Sequence, residues 1–118
     1  MGAPVVWFEI GGDDADRLQD FYTGLLDWQL TKMDEMDYRL VETGGEGGIP
    51  GGVFASPPEA GNYVTVYAAV DDVAGSVTQA VELGGSLVQP PTPLPNGSMI
   101  AMVDDPEGHR VGLIQQAA

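Results

Sequence analysis

Apolar and polar residues alternate along Val5-Val6-Trp7-Phe8-Glu9-Ile10, which predicts a strand with Val6, Phe8 and Ile10 on one face and Trp7 and Glu9 on the other. Gly11-Gly12 is expected to end it. Asp13 or Asp14 then caps a helix, because a short carboxylate accepts from the free N–H groups of the first turn. Leu18, Phe21, Tyr22 and Leu25 recur at helical spacing, an apolar stripe expected to cover Phe8 and Ile10. Strands over 28–33 and 38–43 follow, joined by the acidic turn Asp34-Glu35-Met36-Asp37. The run 44–52 is too rich in glycine for a regular element, and is read either as a flexible hairpin connection or as a lid over a pocket beside a short strand, Val53-Phe54-Ala55. No Gly-Lys-Ser/Thr follows it, so it is not a nucleotide-phosphate loop.

Ser56-Pro57-Pro58-Glu59-Ala60-Gly61 marks a boundary, and the pattern then starts again. Residues 63–70 form a strand with Tyr63, Thr65 and Tyr67 on one face and Val64, Val66 and Ala68 on the other. Asp71-Asp72 repeats the cap, Val73, Val77, Ala80 and Val81 make the helical stripe, and Gly84 stops the helix. Strands over 86–89, 98–103 and 110–115 complete the half. Residues 90–96 read as a proline-rich connection, and Asp104 to His109 as a tight turn in which Gly108 takes a positive φ. Trp7 precedes Asp14 by seven residues as Thr65 precedes Asp72, and the two aspartates are 58 positions apart. The fold class is therefore α+β: two tandem βαβββ modules, 1–58 and 59–118, in a single domain covering 1–118. The helices are expected outside, and the opposite strand faces are expected to line a groove.

Composition narrows the function. At 118 residues the chain is long enough for a real core, and it contains no cysteine, which excludes disulfides, thiolate metal sites and a cysteine nucleophile. No apolar run is long enough for a transmembrane helix, and no charged-then-apolar leader opens the sequence, so the expected location is cytoplasmic. With 18 acidic and 4 basic residues the net charge is −14, which argues against nucleic acid and anionic membranes as partners. The acids are scattered, so solubility or adaptation to salt explains them more simply than a cationic partner.

These features together resemble the glyoxalase/bleomycin-resistance/extradiol-dioxygenase, or vicinal oxygen chelate, superfamily. The resemblance is carried by residues 5–10, Asp14, Phe21-Tyr22, Gly24-Leu25-Leu26-Asp27-Trp28, Val70-Asp71-Asp72-Val73, Leu83-Gly84-Gly85 and Asp105-Pro106-Glu107-Gly108-His109. It covers nearly the whole chain. It implies a homodimer and, in enzymes of the family, a divalent metal held by the first and last strands of each module. Here those positions are Trp7, Thr65, Gly112 and, by the 58-residue shift, Phe54. None supplies an imidazole, carboxylate or thiolate. The sole histidine, His109, is in a turn. No metal ligand and no cofactor is assigned.

Trp7, Tyr38, Phe54, Tyr63, Thr65, Tyr67, Glu9 and Gly112 are then candidates for contact with a small hydrophobic or aromatic ligand in the groove. Trp7 has a competing reading as core filling. If Glu9 faces into the groove, its carboxylate in an apolar wall has a raised pKa and can move protons, which makes Glu9 with Tyr67 the candidate catalytic pair; the competing reading is a solvated Glu9 near the strand end. Three readings stay open: a metal-free binding protein, a metal-independent lyase or isomerase using Glu9, and a metal-dependent glyoxalase or dioxygenase.

Overall fold

The computed structural model describes residues 2–34 and 36–117, so Met1, Ala118 and Glu35 of the expected acidic turn lie outside the described residues. The elements run β1 (Val5–Gly12), α1 (Ala15–Leu26), β2 (Gln29–Lys32), β3 (Tyr38–Glu42), β4 (Gly51–Ala55), β5 (Tyr63–Ala69), α2 (Val73–Glu82), β6 (Ser86–Pro93), β7 (Met99–Asp104) and β8 (Arg110–Gln115). This is the doubled βαβββ order, and the α+β class holds. The chain forms two compact units, Trp7–Thr65 and residues 2–6 with 66–117.

In the Trp7–Thr65 unit the strand order is β2-β3-β4-β1. β1 runs parallel to β4, and β4, β3 and β2 are antiparallel neighbours. Asp14 is the N-cap of α1 and accepts from the Arg17 N–H, while Asp27 ends the helix at φ 56° with its own N–H on the Thr23 carbonyl. A left-handed residue at that point is tolerated by aspartate. The reversal lets Trp28 stack on Tyr22 at 5.3 Å and tilt against Phe8 at 5.4 Å. Ile10, Val41 and Val53 form the core, with Phe8, Leu18, Tyr22, Trp28 and Leu30 packed on it.

The expected α1 stripe is only half right. Leu18 and Tyr22 reach the core, but Phe21 is 56 % and Leu25 63 % exposed. Successive helical residues are rotated by about 100°, so Phe21 sits on the flank when Tyr22 faces inward. Gly51 and Gly52 also depart from expectation, because both belong to β4 and are buried. The preceding loop does use its glycines: Gly44, Gly45 and Gly47 hold positive φ, and the Thr43 hydroxyl closes the loop on the Ile49 carbonyl at 3.0 Å.

In the second unit the order is β5-β8-β7-β6, with β5 and β8 parallel and the others antiparallel. Asp72 caps α2 by accepting from Gly75, and Gly84 follows the helix at φ 101°. Val73, Val77, Ala101 and Val103 form its core, with Ala80 packed on them, while Val81 is exposed. Residues 90–93, read as part of a proline-rich connection, continue β6 instead. β6 is the terminal strand of this unit's order and carries register shifts between Leu87 and Gln89 and between Gln89 and Thr92. Edge position and irregular pairing are where a strand admits proline, which has no N–H to donate.

Candidate functional site

Trp7 and Glu9 share one face of β1 because strand side chains alternate. β4 places Gly52 beside Glu9 and Phe54 beside Gly11, and β3 places Tyr38 opposite Phe54. The Trp7 indole N–H donates to the Tyr38 hydroxyl at 3.0 Å, and that hydroxyl donates to a Glu9 carboxylate oxygen at 3.0 Å. The Tyr38 ring stacks on Phe54 at 5.7 Å, and Phe54 meets Tyr63 edge to face at 5.8 Å. Five of the eight candidates, Trp7, Glu9, Tyr38, Phe54 and Tyr63, are thus joined in one network within a single unit.

Two glycines make room for the rings. A Cβ on Gly52 would overlap the Tyr38 hydroxyl and Cζ, so the phenol can lie across this position only because no side chain stands there. A Cβ on Gly11 would come 3.0 Å from Phe54 and 3.1 Å from Tyr63. Burial, followed by the negative charge of Glu9, pushes the Tyr38 phenol well above its ordinary range. Tyr38 therefore stays a proton donor to Glu9 at neutral pH.

The sign of the resulting pH dependence follows directly. A phenol whose folded pKa lies above its unfolded value of about 10 stabilises the fold fully below that pH and loses the contribution as pH rises through the folded value. Tyrosinate absorbance followed through an alkaline titration should include a tyrosine that ionises later than exposed phenols, and Tyr38→Phe should remove that contribution from the late part of the curve. A Tyr38 that titrates with exposed phenols would contradict the buried network.

The remaining candidates lie as follows. Thr65 is buried in the same unit. Tyr67 and Gly112 belong to the other unit, paired across β5 and β8, with the buried Tyr67 ring lying where a Gly112 Cβ would be. By register the β4 position equivalent to Gly112 is Gly52, which pairs with Glu9 as Gly112 pairs with Tyr67. The 58-residue shift picked out Phe54, two residues along β4, because the loops of the modules differ in length; a two-residue step keeps the same face.

The positions where a divalent metal is implied do not fit one. The Trp7 nitrogen is a donor engaged with Tyr38, and Phe54, Gly52 and Gly112 have no ligating atom. Among the described residues no three histidine, aspartate or glutamate side chains cluster to hold an ion. His109 is exposed, with its Nδ1 3.1 Å from Asp105. The His109 backbone N–H, ahead of that of Glu107, holds the Asp105 carboxyl below its usual range.

Two features escaped the sequence reading. Gly52 looked like loop and is the floor under Tyr38. Arg39, on the other face of β3, is 2 % exposed and joins Asp16, Asp37 and Gln19, tying α1 to the sheet. The signal for Arg39 was its place two residues before the core residue Val41, on the same face of the strand. Two concavities in this unit, of about 400 and 260 Å³, border the start of α1 and not the aromatic network.

No described helix is long and apolar enough to cross a membrane. The chain is similar to CFP32 of Mycobacterium bovis, whose name describes it provisionally as a glyoxylase, with 25 % identity over 116 residues. The match covers 96 % of this chain and 44 % of that protein, and the Mycobacterium tuberculosis protein of the same name matches equally. The chain thus spans under half the length of these curated relatives. Among solved structures, hypothetical protein BH1468 of Bacillus halodurans superposes with a TM-score of 0.75 at 14 % identity, covering 100 % of this chain and 97 % of that one. Methylmalonyl-CoA epimerase of Mycobacterium tuberculosis superposes with a TM-score of 0.65 at 16 % identity, covering 97 % and 88 %. At such identities these structures bear on the fold alone. The sequence profile of the Glyoxalase/Bleomycin resistance protein/Dioxygenase superfamily matches residues 5–113, and the chain belongs to that superfamily.

Proposed function

We propose that this protein binds a small, flat, largely apolar organic molecule on the face built by Trp7, Tyr38, Phe54 and Tyr63, with Glu9 as the polar anchor and no metal. The observation that carries the reading is the network itself: three rings in contact, floored by glycine, with one carboxylate held by a phenol. Binding sites pair apolar, aromatic walls with a few placed polar groups, and this face has that make-up. Family membership supports a small-molecule ligand and a homodimer, the latter to be read by light scattering.

The Tyr38–Glu9 hydrogen bond favours one further reading, a metal-independent lyase or isomerase in which Glu9 moves a proton. Glu9→Gln separates the two. Ligand uptake by both proteins with turnover by neither supports a binder, whereas turnover that disappears in Glu9→Gln supports an enzyme. Trp7→Ala should abolish uptake under either reading. Uptake undiminished in Trp7→Ala, measured by calorimetry in chelator, would remove this face from the site.

A further inference from the structure

Helix α1 carries an apolar flank that its own chain leaves open. Leu18 and Tyr22 turn inward, while Phe21 and Leu25, four residues apart and so neighbours along one flank, are each more than half exposed. Leu18, Phe21 and Tyr22 line a concavity of about 400 Å³ together with Asp13 and Asp14. The helix packs on the Phe8 and Ile10 side of the sheet, so this flank is separate from the face of Trp7 and Glu9. Gly24 stands beside Leu25 and three residues after Phe21. Glycine weakens a helix relative to alanine, yet a Cβ here would meet nothing within 4 Å, so no contact within the chain requires the missing side chain. Its absence instead lets something outside the chain come close. We infer that this flank docks a basic amphipathic helix of a partner protein, with apolar residues of the partner seated on Phe21 and Leu25 and its cations facing the surrounding acids.

Charge complementarity selects the occupant. The acids are scattered over the chain as a whole, but residues 13–27 hold Asp13, Asp14, Asp16, Asp20 and Asp27 against Arg17 alone, about twice the average acidic density of the sequence. Asp14 is used in capping the helix and Asp16 in holding Arg39. Asp13, Asp20 and Asp27 are exposed, and Asp20 is four residues before Gly24, so it borders the flank. The last turn of α1 has no basic side chain, which leaves the negative end of the helix dipole to a cation from elsewhere. A second copy of this chain would bring the same acids against these and be repelled. A helix with two apolar positions one turn apart and lysines or arginines around them matches both the anchors and the charge, the arrangement by which amphipathic helices are bound in grooves.

The test is calorimetric titration with two synthetic peptides, an amphipathic leucine/lysine helix and its counterpart with serine in place of leucine. The wild-type protein should take up one leucine/lysine peptide per chain and bind the serine/lysine peptide about tenfold more weakly or worse, because the apolar anchors are gone. Gly24→Arg should weaken uptake of the first peptide about tenfold by placing bulk and a cation on the flank. This variant has open space around its Cβ and a better helix former, so it keeps the fold. Phe21→Ser combined with Leu25→Ser should weaken uptake similarly, whereas Leu83→Ser, at an exposed leucine of the other unit, should leave it unchanged. Equal uptake by wild type and Gly24→Arg, equal uptake of the two peptides, or no saturable uptake would overturn the inference. Light scattering adds one more outcome that would overturn it: a wild-type dimer that Gly24→Arg dissociates would mean that a second copy covers the flank.

Discussion

Gly51→Ala is expected to destabilise the protein by about 3 kcal/mol, at the upper end for overpacking a well-filled core. A methyl group there would overlap the Phe8 ring, which pairs with Gly51 across β1 and β4. Phe8 cannot retreat, because it is packed on Ile10, Val41 and Val53 and held against Trp28. The neighbouring Gly52→Ala makes the contrast. Its methyl group meets the free end of Tyr38, which swings outward at the expense of two hydrogen bonds, for a smaller loss of about 1–2 kcal/mol. Urea denaturation of both variants measures the pair. Equal losses would mean that Phe8 and Tyr38 are equally free to move, contrary to the packing described.

Arg39→Ala should cost about 2 kcal/mol through the hydrogen bonds and stem packing lost together. The ion pairs themselves are a minor part, since Asp16 and Asp37 are largely exposed and therefore screened. The larger part is a guanidinium, 2 % exposed, that reaches Asp16, Asp37 and Gln19 at once and so clamps α1 onto β3. Arg39→Lys should recover only part of the loss, because an ammonium lacks the planar fork that reaches several acceptors. Denaturant midpoints for the two variants check this. Full recovery by lysine would assign the effect to charge alone, and a strong dependence on added salt would do the same.

What the chain revealed before folding, and what it hid, divides along physical lines. Strand alternation placed Trp7 and Glu9 together, since period two is a property of the backbone. The aspartate caps at Asp14 and Asp72 were legible because their chemistry is local, and the doubled pattern carried the fold class. Tyr38 meeting Glu9 depended on which residues face each other across β3, β4 and β1, a register no local pattern encodes. Gly51 and Gly52 were misread because a glycine that a neighbour's ring requires looks the same in sequence as a glycine that a loop requires. Phe21 and Leu25 show the limit of periodicity on a helix: four apolar residues defined a stripe wider than the sheet could cover.

The functional reading turns on this face taking an organic molecule without a divalent ion, although Trp7 and Phe54 stand on β1 and β4, where the family resemblance implies metal ligands. Elemental analysis of the protein, purified without chelator and then offered zinc, manganese, iron, nickel and magnesium, tests that claim most directly. With Trp7, Gly52, Phe54, Thr65 and Gly112 at the positions in question, no stoichiometric metal should remain after buffer exchange. Stoichiometric retention of any of these ions would contradict the reading and return divalent-metal chemistry to the site.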